Sequence, residues 1–467
     1  MNYLIEMPDA RNQFQNLLDQ AREEVRRSYS EHVNPHFARL LKTTGFDRTY
    51  TRGCGMYLYD QDGHEYMDCI AGYAVHALGR SHPDVVAALQ AALQSEHPGW
   101  VQFELNPLAA LLAKRLAARM PGDLRYALFT SSGTEAIECA MKLSRRFTGR
   151  DAVLHCAKSF HGLTIGALAA NGNPNLREGF GLLGESQSIP MNDLGALESA
   201  LASRRFAAFF IEPVQGKTCL CVDDGYLREA TRLCKAHGTL LVVDEIQTGI
   251  GRTGKFTALE HDAGCSPDIV VLSKALSGGF VPVGAAMVRA DVWRATFDSM
   301  TRSFVHTSTF QAGTLAMVAA LTVLEVYDRE RLAEQAAQMG EIIRAGCQEI
   351  AARQPGIAGV RGRGLMLGIT LEKSGFEKTI STIPLLGSLE RVLFGQAFAM
   401  ELLATHRILC QVTDSQSNVL KFTPPLIIGI KECDRIVAAV NATFERFAKS
   451  SGPFVLGMKQ VLKNLVQ

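Results

Sequence analysis

Between about residues 80 and 330 the chain alternates short apolar, β-branched runs with stretches of helical periodicity. In order these are RYALFTSS then TEAIECAMKLSRRF, DAVLHCA, FAAFFIEPV then GYLREATRLCKAHG, TLLVVDE, and DIVVLSK. The runs show no polar alternation, so such strands are buried on both faces, and the intervening helices cover them. That leaves one architecture, an α/β unit with a mostly parallel central sheet. Residues 1–45 have apolar positions at helical intervals and lead into GMYLYDQDGHEYMD, where two alternating runs flank Asp62-Gly63 and predict a hairpin. Beyond 330, a long helical stretch, GLMLGITLE, an apolar segment at 383–410, NVLKFTPPLII and a last helix predict a smaller α+β unit.

Composition narrows the function. Forty-eight basic against 47 acidic residues give a net charge of +1, which offers no global field for a nucleic acid or an anionic membrane. No segment has 18 uncharged apolar residues, and Glu6 and Asp9 interrupt the stretch a secretory signal would need. The 11 cysteines lack paired Cys-x-x-Cys spacing, so they are expected to be reduced core thiols in the cytoplasm, with no metal site.

In parallel α/β sheets, ligands sit beyond the carboxyl ends of the strands. After RYALF come Ser131, Ser132, Gly133 and Thr134, opening a helix whose free N–H groups suit a phosphate. Phe160, His161 and Gly162 follow AVLHC, Glu212 follows FAAFFI, Asp244 and Glu245 follow TLLVV, and Lys274 follows DIVVLS. Singly these residues are weak signals, since a strand-end Asp is more often a cap and a lone Lys a solvated charge. Together they meet the needs of pyridoxal 5′-phosphate: an amine for a Schiff base, a carboxylate for the pyridine nitrogen, an anion site and a ring to stack on. Gly249-Ile-Gly251-Arg-Thr-Gly254 also satisfies G-x-G-x-x-G, but no long amphipathic helix follows and Asp244-Glu245 precede it. Tight-turn glycines are therefore expected there.

The ordered series SSGTEAIECAMKLSRRFTGR, SFHGLTIGAL, FIEPVQG, VVDEIQTGIGRTGKF and SPDIVVLSKALSGGFVPVGA resembles the class III pyridoxal-phosphate aminotransferases, over about residues 35–450. The resemblance implies fold type I, a cytoplasmic homodimer with the active site at the subunit interface, and amine and carbonyl substrates. It divides the chain into 1–75 (N-terminal segment of the small domain), 76–330 (large cofactor-binding domain), 331–450 (C-terminal small domain) and 451–467 (tail). By position it implies that Lys274 is the Schiff-base lysine, Asp244 the partner of the pyridine nitrogen, and Gln247 the neighbour of the phenolic oxygen. Ser132, Gly133 and Thr134 become the phosphate loop, with His161 beside the cofactor, Phe160 and Ile246 sandwiching the ring, and Thr309 reaching the neighbouring subunit's phosphate. Glu212 is implied on the cofactor's substrate side and Tyr73 at the pocket entrance.

The sequence departs from the family pattern in three places, of which the unusually apolar 383–410 segment near the expected pocket wall is read as ordinary helical core in preference to a lipid-like substrate channel. Arg80 stands in LGRSHP where the family commonly has histidine. Lys421 stands where ornithine-type members usually carry an arginine for the substrate α-carboxylate. A lysine is a flexible point charge without the rigid fork of arginine. The expected substrate is therefore a terminal amine, or its aldehyde, exchanged with an amino acid or keto acid. The same family also contains aminomutases and racemases, and the intact Lys274 and Asp244 argue against a non-enzymatic interaction protein.

Overall fold

In the computed structural model the described residues are 10–354, 356–372, 389–413 and 418–449. The 451–467 tail and residues 383–388 of the apolar 383–410 segment lie outside them. Fifteen strands occur among the described residues: β1 (Tyr50–Cys54), β2 (Tyr57–Asp60), β3 (Glu65–Asp68), β4 (Tyr126–Thr130), β5 (Ala152–Cys156), β6 (Ser186–Ile189), β7 (Phe206–Ile211), β8 (Leu240–Asp244), β9 (Ile269–Leu272), β10 (Gly284–Val288), β11 (Ile357–Arg363), β12 (Met366–Leu371), β13 (Ile408–Leu409), β14 (Gln411–Thr413) and β15 (Val419–Phe422).

The central sheet has seven strands in the order β4-β10-β9-β8-β7-β5-β6. Strands β9, β8, β7, β5 and β6 are mutually parallel, while β10 runs antiparallel between β4 and β9. Every residue of β5, β7, β8, β9 and β10 is buried, which explains the unbroken apolar runs. Alternate residues face opposite layers. Ala208, Phe210, Val242 and Val271 pack with Ile137, Ala140 and Met141 of the Gly133–Thr148 helix. Phe209, Ile211, Val243 and Val270 join the larger core on the other face.

Two four-stranded sheets flank this layer. The predicted hairpin forms as β2 and β3, pairing Tyr57 with Met67 and Tyr59 with Glu65. Its outer neighbour is β13, which lies parallel to β3, with Ile408 opposite Met67. The third sheet, β11-β12-β15-β14, is antiparallel throughout and seats Lys421 in a strand whose four residues are all buried. The described part of the 383–410 segment forms a helix, Leu389–His406, followed by β13. There Phe398 packs against Phe444 and Phe447 of the last helix at 4.6 and 4.4 Å between ring centroids. The sequence GIGRTG lies in turns and is followed by a single 3₁₀ turn, Ala258–His261. Gly251 has φ +90° and would bring a Cβ to 2.8 Å from the Tyr327 ring. Its glycines serve turns and packing, as expected.

Candidate active site

The strand ends collect the predicted residues on one edge of the central sheet. Asp244 closes β8 and is 3% exposed. Its Oδ2 lies 2.7 Å from His161 Nδ1, and its Oδ1 accepts from the Ile246 N–H at 2.9 Å. Burial favours neutral imidazole, yet the hydrogen bond and charge of Asp244 prevail and the His161 pKa is raised. The pair sets the Asp244 carboxylate beside a buried imidazole at the end of β8. Glu212, after β7, is buried and accepts from the Phe160 N–H at 3.0 Å and the Gly216 N–H at 2.8 Å. Burial raises its pKa, opposed by the charge of His161.

Lys274 follows β9 at φ +42°, in the left-handed region that non-glycine residues seldom occupy. Its neighbour Ser273 is pinned by a 2.7 Å hydrogen bond from Oγ to Val283 O, so the backbone strain is held by a fixed turn. The Lys274 ammonium has no hydrogen-bond or ion-pair partner among the described residues. Burial, followed by the positive charge of Lys421, lowers its pKa from 10.5 to about 8, while Asp244 and Glu212 oppose the shift.

Ser132, Gly133 and Thr134 stand at the start of a helix. Ser132 caps the Gly133–Thr148 helix by accepting from the Glu135 N–H at 3.3 Å, and Thr134 Oγ1 lies 2.7 Å from Thr164 Oγ1. A Cβ on Gly133 would sit 2.8 Å from Ile246 Cδ1, and one on Gly162 (φ +125°) would sit 2.3 Å from Thr134 Oγ1. Gly133 thus packs closely on Ile246 and Gly162 on Thr134, beside the N-terminus of a four-turn helix whose free N–H groups suit an anion.

Lys421, expected from the sequence to bind substrate, already has protein partners. It is 1% exposed, and its Nζ donates to Gly216 O at 2.6 Å and Gln247 Oε1 at 2.9 Å. Gln247 in turn donates from Nε2 to the Tyr73 carbonyl at 3.0 Å. One buried cation thus ties the segments after β7 and β8 to the 71–74 loop, and burial lowers its pKa. Tyr73 itself has φ +61° and is 61% exposed, so its ring projects from the surface of this chain. Thr309 is exposed in a loop, and its carbonyl accepts from Gln102 Nε2 at 3.3 Å.

For several participants the sequence marked the position but not the partner. Arg80 donates from Nε and Nη2 to the buried Asp68 Oδ2 at 3.2 and 2.7 Å and lies 3.1 Å from His76 Nε2. Asp68 Oδ1 accepts from the Ile70 and Ala71 N–H groups, so Arg80 braces the loop that carries Tyr73. Glu245 is 1% exposed and accepts from the Leu259 N–H at 2.9 Å; burial raises its pKa to about 7. Arg252, inside GRTG, is fully enclosed and donates to the carbonyls of Leu365 and Pro424, which locks β11–β12 and β15 to the large sheet. Its signal was the motif, whose glycines drew the attention.

Comparison with known proteins decides the family. The sequence profile "Aminotransferase class-III" matches residues 42–444. The chain belongs to the class III aminotransferase family. Among relatives of this family, the aminotransferase PigE of a Serratia species is 35% identical over 454 residues, covering 90% of this chain. The chain spans about half the length of that relative, 53%. The putrescine aminotransferase of Pectobacterium atrosepticum is 36% identical, covering 89% of this chain and 87% of its own length. Among solved structures, an ornithine aminotransferase from Toxoplasma gondii superposes with a TM-score of 0.75 at 30% identity, covering 87% of this chain and 92% of its own. A thermostable (S)-enantioselective ω-transaminase from Thermomicrobium roseum superposes at 0.79 with 26% identity, covering 91% and 99%. The fold is that of the pyridoxal-phosphate-dependent transaminases, fold type I.

Proposed function

We propose that this chain is an aminotransferase that uses pyridoxal 5′-phosphate to move an amino group between a terminal amine, or the matching aldehyde, and an amino-acid or keto-acid partner. One observation carries the reading: Lys274 is an ammonium with no bonding partner among the described residues, its pKa about 8, in the field of Asp244 and Glu212. The N-terminus of the Gly133–Thr148 helix suits a phosphate, and the buried His161, its Nε2 without a partner, pairs through Nδ1 with the buried Asp244 carboxylate.

The cofactor, when bound, supplies an electrophilic carbon and an electron sink. The helix N-terminus at Gly133–Thr134, with Ser132, holds the phosphate. Asp244, paired with His161, would hold a proton on the ring nitrogen. Ile246 and Phe160 would be the apolar groups that hold the ring. Gln247, fixed by Lys421 and Tyr73 O, presents its amide at the phenolic edge. Lys274 Nζ, whose charged form burial disfavours, would take a proton from the substrate carbon that bears the amine and deliver it to the carbon on the other side of that nitrogen. Glu212, buried against the Phe160 and Gly216 amides, lines the substrate side.

The terminal-amine preference rests on Lys421, whose ammonium already serves Gly216 O and Gln247 Oε1, and agrees with the putrescine aminotransferase among its relatives. The site is completed in a homodimer. Thr309 lies among Phe103, Leu105, Met300, Phe304 and Phe310, which are 61–100% exposed, an apolar surface suited to a second copy. The working compartment is the cytoplasm, in keeping with 11 free thiols. Among the described residues no helix is long and apolar enough to cross a membrane.

The test is the first half-reaction of the cofactor-loaded protein with terminal amines of increasing length against ornithine and 4-aminobutyrate. Faster reaction with the plain amines, abolished in Lys274→Ala while phosphate-dependent cofactor binding persists, is the expected result. A strong preference for ornithine that collapses in Lys421→Ala overturns the substrate choice.

A further inference from the structure

A partner that carries a carboxylate needs a cation within reach, and the structure removes the obvious one. Lys421 is enclosed, with both hydrogen bonds directed at protein oxygens. The same interactions fix the next cation. Gly216 is clamped from both sides: its N–H donates to Glu212 Oε1 at 2.8 Å and its carbonyl accepts from Lys421 Nζ at 2.6 Å. No Cβ fits at Gly216, where Gln247 Oε1 would stand 2.7 Å away. The residue that follows is Lys217, which is exposed and has no ion-pair or hydrogen-bond partner among the described residues.

The Lys217 ammonium rests over the Phe160 ring, 4.8 Å from its centroid, an arrangement that positions a cation without neutralising it. It also borders a cavity of about 130 Å³ shared with Ser159, Phe160 and Asn173. The backbone sets Lys217 next to the Lys274 cluster, because the adjoining Gly216 bonds both Glu212 and Lys421. An ammonium held by a clamped loop and an aromatic face, beside a cavity with amide and hydroxyl groups, is complementary to a small carboxylate.

We propose that Lys217 is the anion-recognising residue of the substrate pocket, binding the carboxylate of the amino-acid or keto-acid partner. The inference rests on the aminotransferase reading and assigns the partner's recognition within that site. Lys217 repels the distal ammonium of a diamine and is indifferent to a neutral alkyl chain, so it sorts substrates by the charge of the far end.

The experiment compares the cofactor-loaded wild type with Lys217→Gln, Lys217→Glu and Lys217→Arg. The first half-reaction is measured with 4-aminobutyrate and with butylamine, which differ by the carboxylate. Lys217→Gln should lose about fivefold in kcat/KM for 4-aminobutyrate, the upper range for a solvent-exposed charge contact, and less than about twofold for butylamine. Lys217→Glu should deepen the first loss and speed a diamine such as putrescine, and Lys217→Arg should restore the wild-type ratio. A second readout needs no turnover: calorimetric binding of pentanoate should weaken by about the same factor in Lys217→Gln. Equal losses for both amines, or unchanged pentanoate binding, overturn the proposal. If neither amine reacts with the wild type, the aminotransferase reading falls, and the pentanoate measurement still decides Lys217.

Discussion

The depressed pKa of Lys274 gives a pH signature that can be worked out in advance. An ordinary lysine at 10.5 is neutral in only about 0.1% of molecules at pH 7.5, whereas a group at about 8 is neutral in roughly a quarter. Burial in the strand-end cluster therefore raises the population of reactive amine about two-hundredfold at that pH. The sign is fixed by the charge: a cation disfavoured by burial loses its proton at lower pH, so capture of the cofactor aldehyde by cofactor-free protein rises with pH and reaches half its maximum near 8. The rate is read by stopped-flow appearance of the yellow colour after mixing, at constant ionic strength. Lys421 is the second cause of the shift, so Lys421→Met should move the midpoint upward, toward 10.5, by less than burial alone has moved it down. A wild-type midpoint at or above 10, or a downward shift in Lys421→Met, refutes the account of Lys274 as an amine freed by burial and by a neighbouring cation.

Asp244→Asn should lower turnover at least a hundredfold while cofactor affinity, measured by dialysis, changes far less, because the loss falls on the charged ring nitrogen and not on the phosphate loop. Glu245 has its folded pKa raised from 4.5 to about 7, so its protonated form stabilises the fold fully below 4.5 and that contribution is lost as pH rises through 7. In denaturant titrations Glu245→Gln should gain about 3 kcal/mol on the wild type between pH 4.5 and 8, and a constant difference across that range would show the carboxyl is not buried as described. Mixing inactive Lys274→Ala subunits with inactive Thr309→Tyr subunits should recover activity in hybrid dimers that gather both lesions into one site. Subunit exchange without recovery would place Thr309 outside its neighbour's site.

The parallel core was legible because each strand is buried on both faces, and each was followed at once by its polar residue, Glu212, Asp244 or Lys274. Position along the strand then sufficed to bring the residues to one edge. Strand β10 was harder, since GAAMV carries almost no β-branched side chains and its antiparallel course between β4 and β9 leaves no local mark. The contacts that escaped prediction join residues far apart in the chain. Lys421 and Gln247 are 174 positions apart, and the sequence around Lys421 suggested a partner in the substrate. Arg80 was uninterpretable until Asp68, at the end of the hairpin, came within 2.7 Å of it. Lys217 stood in the open, one position past a recognised motif, and only the clamp on Gly216 gives its charge a fixed place.

The two-residue strand β13 has a consequence for the life of the chain before it is an enzyme. The hairpin edge formed by β3 finds its last neighbour only at Ile408 and Leu409, with the Met67 and Cys69 amides donating to Arg407 and Leu409 carbonyls at 2.8 Å. On a ribosome adding about 5–20 residues per second, that edge waits on the order of tens of seconds with its hydrogen-bonding groups open. Unpaired strand edges recruit other strands, so nascent chains are most vulnerable to one another during this interval, and slower translation late in the message should lower the soluble yield more than slower translation early.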